Sequence, residues 1–322
     1  MGFKQYPILF QPILKDRIWG GTKLKSILGK DIDSNEVGES WEISGVSSDV
    51  SVVANGVYEG LSLNDLIQKF PEEILGDYII NRFDKKFPLL FKFLDAKEDL
   101  SIQLHPNDDL AQKRHGSFGK TEMWYVMQTD ENARIVVDFK DGVTQEDYLH
   151  HLEAKTLPSI LKEIPVKKGD VFFIETGTIH AIGAGVLLAE IQQTSDITYR
   201  VYDWDRLDAS GNSRELHIDM ALDAINYDKK EVELTYTKDA NVSNEIVACP
   251  FFSVNYIPLK GSYHKEKDAS RFYLYVCTEG EGEITLGDEV YSIRCGQTVL
   301  IPAAVTQISL SGEATILEIF VS

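Results

Sequence analysis

A twelve-residue pattern occurs twice in this chain, and any fold assigned to it has to house both copies. Residues 169–180 read GDVFFIETGTIH and residues 296–307 read GQTVLIPAAVTQ. Each copy opens on Gly, runs through four or five apolar positions of strand character, turns through small residues and closes on a polar side chain. The closing residue is His180 in the first copy and Gln307 in the second. Around the copies lie short apolar or aromatic segments bounded by Gly, Pro, Asp or Asn: VSVVANGVY, FPLLFKFLDA, LSIQLHP, EMWYVMQ, ARIVVDF, DVFFIETG, GVLLAEIQQ, DITYRVYDW and a late series ending in ATILEIFVS. Such spacing predicts a sandwich or barrel, not an alternation of strand and helix. Helices are expected as insertions, at 63–70, after Pro106, at 144–153 with Thr144 and Asp147 as a capping box, and at 216–225.

The spacing from the Gly to the closing residue resembles the second signature of the cupin superfamily, a double-stranded β-helix of the jelly-roll type whose His at that place ligates a metal. The resemblance implies a mainly β chain of two cupin-like jelly-roll units with helical insertions, of which only the first keeps its metal ligand. Residues 1–235 are then expected to form the metal-binding catalytic unit and residues 240–322 a degenerate C-terminal unit of structural role. The polar stretch 227–244, YDKKEVELTYTKDANVSN, carries the chain between them. A length of 322 residues fits two units at about 150 residues each.

Composition removes several classes. No stretch approaches the roughly 18 to 20 apolar residues of a membrane span, and the amino terminus lacks a secretion signal's layout, so a cytoplasmic protein without a membrane partner is expected. With 32 Lys and Arg against 51 Asp and Glu the net charge is −19, and no basic run is present to hold a nucleic acid. A small anion is not barred, because two or three local cations suffice for it. Cys249, Cys277 and Cys295 show no Cys-x-x-Cys spacing and are expected to be reduced core residues. The oligomeric state is left open.

Along a strand alternate side chains share a face. In Ser101-Ile102-Gln103-Leu104-His105 the two aliphatic residues therefore face a core, while Ser101, Gln103 and His105 point together the other way. An exposed edge strand would account for that row. However, Lys120, Glu122 and Trp124 share a face of the next segment, and His180 closes the first repeat. Gln103, His105, Glu122 and His180 offer one amide oxygen, two imidazoles and one carboxylate, a set that suits a borderline divalent ion, with Zn²⁺ favoured and a position left open. Two cations stand in unusual surroundings: Lys92 inside FPLLFKFL and Arg200 inside DITYRVYDW. Each either snorkels to solvent or serves an anion.

Six ordered strings, RIWGG, GESWEIS, FKFLDA, SIQLHP, GKTEMWYV and ETGTIHAIGAG, together with DITYRVYDW, resemble the landmarks of type I mannose-6-phosphate isomerases in their short bacterial form. They span residues 17–204. The resemblance implies an aldose–ketose isomerase acting on a sugar phosphate, interconverting mannose 6-phosphate and fructose 6-phosphate through a cis-enediol. It implies one zinc ion on Gln103, His105, Glu122 and His180, with Arg200 as the active-site arginine. Lys92 and Lys120 match lysines that line the family's pocket, Ser101 a serine close to the phosphate, Glu190 a pocket glutamate, and Trp19 and Glu39 further substrate contacts. Glu190 and Lys92 both stand as carriers of the proton. The chain departs from larger relatives after Arg200, where VYDWDRLD replaces a small-residue stretch ending in lysine; Arg206 is the candidate substitute.

Two rival classes use such a barrel. A non-haem iron oxygenase favours a histidine-richer ligand set than one containing Gln103, and a non-catalytic sugar-phosphate-binding module would keep the pocket without turnover. The remaining histidines invite plainer readings. His115 in HGSFG is expected to face solvent, His150 and His151 on one helix cannot both face a metal, and His217 and His264 have no identifiable partner. GEGEITLG lacks a phosphate-loop lysine and is expected to be a hairpin turn.

Overall fold

The computed structural model describes residues 2–207, 210–228 and 231–322. Seven antiparallel strands form one sheet in the order Glu233–Leu234, Val171–Ile174, Glu122–Thr129, Val186–Gln193, Leu89–Ala96, Val37–Ser44 and Ile13–Gly21. Five more form a second sheet in the order Tyr199–Tyr202, Ile102–Leu104, His180–Ile182, Arg134–Phe139 and Leu161–Pro165. Alternation decides what each face meets. Leu94, Trp124 and Leu188 of the larger sheet share one core with Ile135, Val137 and Ile182 of the smaller. The opposite face of the smaller sheet, including Ile102 and Leu104, packs against helical insertions through Tyr148, Leu157 and Ala221.

The second repeat belongs to a third sheet, ordered Ile8–Leu9, Thr298–Ile301, Tyr273–Leu286, Gln307–Phe320, Ser253–Glu266 and Asn244–Ala248, with Glu289–Arg294 beside the Tyr273 strand. Its Val254, Leu274, Leu317 and Ile319 join Phe91, Phe93 and Tyr125 from the outer face of the seven-stranded sheet in the largest core. Burial of that apolar surface holds the two halves together. The chain also crosses to the second half at its amino-terminal strand. Ile8 and Leu9 pair with Leu300 and Val299, whereas Glu233 and Leu234, inside the polar passage, pair with Phe172 and Val171. Lys229 and Lys230 of that passage lie outside the described residues.

The mainly β expectation holds, and three of the expected helices are present, each with a side-chain cap. Ser62 caps Leu63–Lys69, Asn107 caps Asp108–His115, and Thr144 with Asp147 forms the expected box ahead of Gln145–Glu153. The fourth, Ile218–Leu222, is shorter than predicted. Two segments differ in kind. VSVVANGVY makes only isolated bridges at Val52 and Val53, then turns at Asn55-Gly56, where Gly56 takes φ 68°, into a 3₁₀ turn at Gly56–Tyr58. GEGEITLG is strand as far as Leu286, and the turn comes only at Gly287. Of the three free cysteines only Cys277 is fully buried.

Candidate active site

The inner face of the larger sheet carries a row of registered residues: Trp41 opposite Lys92, Lys92 opposite Glu190, and Glu190 opposite Trp124. The smaller sheet answers with Arg200 opposite Gln103 and Gln103 opposite His180. Neighbours in register share a face, so each row is a continuous stripe of polar and aromatic groups. Between them opens a cavity of about 600 Å³, whose wall includes Trp19, Glu39, Lys92, Ser101, Gln103, Lys120, Glu190 and Arg200. Trp19 reaches its place because residue 38 is glycine: a Cβ there would lie 2.5 Å from the indole.

His105, Glu122 and His180 are buried against that wall, with ligand atoms all within 4.8 Å of one another. Glu122 Oε1 lies 3.4 Å from His180 Nε2, and Glu122 Oε2 lies 3.5 Å from His105 Nε2. The other ring nitrogens are fixed from behind. His105 Nδ1–H donates to the Ile197 carbonyl at 2.8 Å and His180 Nδ1–H to the Thr178 carbonyl at 2.9 Å. Both tautomers therefore turn an Nε2 lone pair toward Glu122, as a carbonyl behind a metal-binding histidine makes it do. Burial, joined by the charge of Lys120, pushes His105 well below its ordinary pKa; burial brings His180 down to about 4. Both rings are neutral at pH 7. Glu122 Oε1 and His180 Nε2 have no hydrogen-bond partner. Leaving a buried polar atom unpaired costs about 1–3 kcal/mol, so the triad fits a divalent metal better than it fits itself. Gln103 stands on the adjacent strand with Ser101 Oγ donating to its Oε1 at 3.3 Å.

From the triad a chain of alternating charge crosses the larger sheet. Lys120 Nζ lies 2.9 Å from Glu122 Oε2, 3.1 Å from His105 Nε2 and 3.9 Å from Glu190 Oε1. Lys92 Nζ donates to Glu190 Oε1 at 3.1 Å, and Trp124 Nε1 donates to Oε2 at 3.0 Å. Burial alone would raise Glu190, but Lys92 and Lys120 outweigh it and hold the carboxyl well below the usual range; Glu122, where burial and Glu190 prevail over Lys120, is raised. Further along, Glu39 accepts from Arg17 Nε at 2.7 Å and Trp41 Nε1 at 2.6 Å, and Lys92 Nζ sits 5.0 Å from the centre of the Trp41 ring.

At the other side of the cavity guanidiniums gather. Arg200, Arg206 and Arg214 all line it. Asp203 Oδ1 is 2.5 Å from Arg206 Nη2 and 3.5 Å from Arg214 Nη1. Burial first, then the neighbouring guanidiniums, lower the pKa of Arg200, while Asp203 opposes the shift.

Comparison with known proteins identifies the family. Residues 8–141 match the family described as phosphomannose isomerase type I, catalytic domain, and residues 243–321 match the mannose-6-phosphate isomerase cupin domain. The mannose-6-phosphate isomerase of Streptococcus mutans is 37% identical, covering 97% of this chain and 97% of its own. The chain belongs to the type I phosphomannose isomerase family. Another relative, mannose-6-phosphate isomerase ManA of Bacillus subtilis, is 37% identical over 96% of each chain. The crystal structure of the mannose 6-phosphate isomerase from Bacillus subtilis superposes with a TM-score of 0.89 at 32% identity, covering 98% of this chain and 99% of that one. As a member of this family the chain is an isomerase.

Of the eleven residues singled out from sequence, eight line one cavity of this phosphomannose isomerase fold, and His105, Glu122 and His180 are buried behind its Lys120. The contacts of Lys120 are with the triad and Glu190, while Ser101 Oγ accepts from Arg200 Nε at 3.2 Å and so stands at the guanidinium side. Sequence reading missed Arg17, Trp41 and Arg214 as wall residues. Trp41 was within reach of the alternation rule, two positions beyond Glu39; Arg214 gave no local signal, because the folded path of its loop brings it back.

Proposed function

We propose that this isomerase interconverts mannose 6-phosphate and fructose 6-phosphate, with one zinc ion held by Gln103, His105, Glu122 and His180. One observation carries the reading: a buried ligand triad with orphaned Nε2 and carboxylate atoms stands behind Lys120 of a cavity that three guanidiniums, Arg200, Arg206 and Arg214, also line. Lewis-acid polarisation of the substrate oxygens is the chemistry that a bound zinc supplies. Lys92 and Glu190, paired within one hydrogen bond, carry the proton between C2 and C1 as a unit. Arg200 balances the charge that develops on the enediolate, and Lys120 contacts the sugar beside Glu122. Ser101, Arg206 and Arg214 hold the phosphate dianion, which positions the reacting carbons. Trp19 and Glu39 complete the sugar-binding wall.

Residues 1–235 act in this reading as the catalytic unit and residues 240–322 as its structural support. Free thiols and a phosphorylated substrate favour the cytoplasm. A coupled assay on purified zinc-loaded protein, following fructose 6-phosphate formed from mannose 6-phosphate, tests the proposal. Turnover lost on chelation and regained with zinc is expected. Tight binding of mannose 6-phosphate without turnover by the zinc-loaded protein would favour a binding module, and consumption of oxygen with iron would favour an oxygenase.

A further inference from the structure

Arg200 lies on the strand Tyr199–Tyr202, at the end of the five-stranded order. One side of an end strand has no neighbouring strand, and its backbone groups need other partners. At Arg200 a single residue supplies both. The Arg200 N–H donates to His217 Nδ1 at 3.2 Å, and the His217 N–H donates to the Arg200 carbonyl at 2.7 Å. Two residues upstream the Glu215 carbonyl accepts from Arg200 Nη1 at 3.0 Å. His217 is itself anchored, since its carbonyl accepts from the Ala221 N–H of the helix it precedes and its ring packs against Tyr199 with centroids 6.4 Å apart.

We propose that His217 is a positioning residue for Arg200: its imidazole, in the tautomer with a free Nδ1 lone pair, closes the sheet edge and sets where the guanidinium stands in the cavity. The proposal rests on the catalytic reading of Arg200 given above. The sequence offered His217 no partner, because the contact joins residues 17 apart through a loop that carries no strand or helix signal. The tautomer is available at pH 7: burial lowers the ring's pKa, Glu215 opposes the shift, and the charges of Arg200 and His115 add to it. A donor at Nδ1 would face the Arg200 N–H head-on, so the clamp requires an acceptor there and nothing else of the ring.

Asparagine places its Oδ1 close to where histidine holds Nδ1, and leucine fills the space without an acceptor. His217→Leu is expected to lower kcat on mannose 6-phosphate roughly ten- to a hundredfold, the range found when a supporting contact misplaces an active-site group. Zinc content and melting temperature should stay near wild type. His217→Asn should recover kcat to within a few-fold, which a merely space-filling role would not produce. Exchange of the Arg200 amide hydrogen should speed up in His217→Leu and slow again in His217→Asn. Wild-type kcat in His217→Leu, or equal impairment of the two variants, would overturn the proposal. Arg200→Ala separates this from the reading it rests on. If that variant turned over normally, the role of Arg200 would fall, and unchanged amide exchange in His217→Leu would then remove the clamp as well.

Discussion

Each half of the molecule buries one glutamate at 0% exposure, Glu122 in the first and Glu318 in the second, and the two are treated in opposite ways. Glu318 accepts from Ser243 Oγ at 2.8 Å, Asn255 Nδ2 at 3.1 Å and Lys265 Nζ at 2.7 Å through one oxygen, and from the Tyr275 hydroxyl at 2.7 Å through the other. Glu122 keeps an oxygen without any hydrogen bond and faces two imidazole lone pairs. A saturated carboxylate has nothing left to offer and serves the fold; one that keeps an oxygen unpaired beside imidazole acceptors is arranged for a cation from outside. The repeats follow the same division. His180 is buried at the triad, whereas Gln307 is exposed and pairs with Glu266 at the start of its strand.

The hardest blow to this contrast is aimed at Glu122. Glu122→Gln keeps the shape and removes the charge, so zinc measured per chain should fall far below one and turnover to background, while circular dichroism remains that of a folded β protein. Retained zinc and activity would show that the unsatisfied carboxylate is not what holds the metal. Next in size is Arg200→Ala, for which kcat should fall about a hundredfold, the usual scale for one charge-stabilising donor, with zinc still bound. Near-wild-type turnover with zinc present would break the assignment of this arginine.

Glu318→Ala sharpens the same contrast from the other half. It strands the buried Tyr275 hydroxyl and leaves Lys265, 17% exposed, with only the Tyr273 and Phe320 rings, and leaving a buried polar group unpaired costs about 1–3 kcal/mol. Denaturant unfolding should report that loss, while kcat and KM of the folded protein stay at wild-type values. A variant that kept its stability but lost activity would reverse the roles assigned to the two glutamates.

How far the sequence reached depended on whether a residue's partners lie within an element or across a loop. Alternation put Ile102 and Leu104 on the helix-covered face and left Gln103 on the cavity face, as found. It also put Glu122 and Trp124 on one side of their strand, and both turn inward. Capping chemistry placed Thr144 and Asp147 correctly because that contact spans three residues. The same rules misread VSVVANGVY, where a strand-like composition yields to the turn at Asn55-Gly56. Arg214 and His217 were out of reach for a different reason: the path of the segment after Arg206 is set by packing against the sheet edge, and no periodicity records it.

The smallest expected effect belongs to the second repeat. Gln307→His restores in that copy the residue with which the first one closes, and if the motif alone made a metal site a second ion should appear. The geometry says otherwise. Among the described residues the only cluster with ligand atoms close enough for one ion is His105, Glu122 and His180, and Gln307 faces solvent with a strand partner, Glu266, beside it. A single imidazole there finds no converging set. Zinc per chain should remain one, kcat should not change, and stability should stay within about 0.5 kcal/mol of wild type, as exposed substitutions do. A second equivalent of zinc would mean that the second unit retains a latent site, and that what separates the halves is one side chain; its absence places the difference in the strands around the motif, which in the first half bring a carboxylate and two rings to one point and in the second bring Glu318 to four donors.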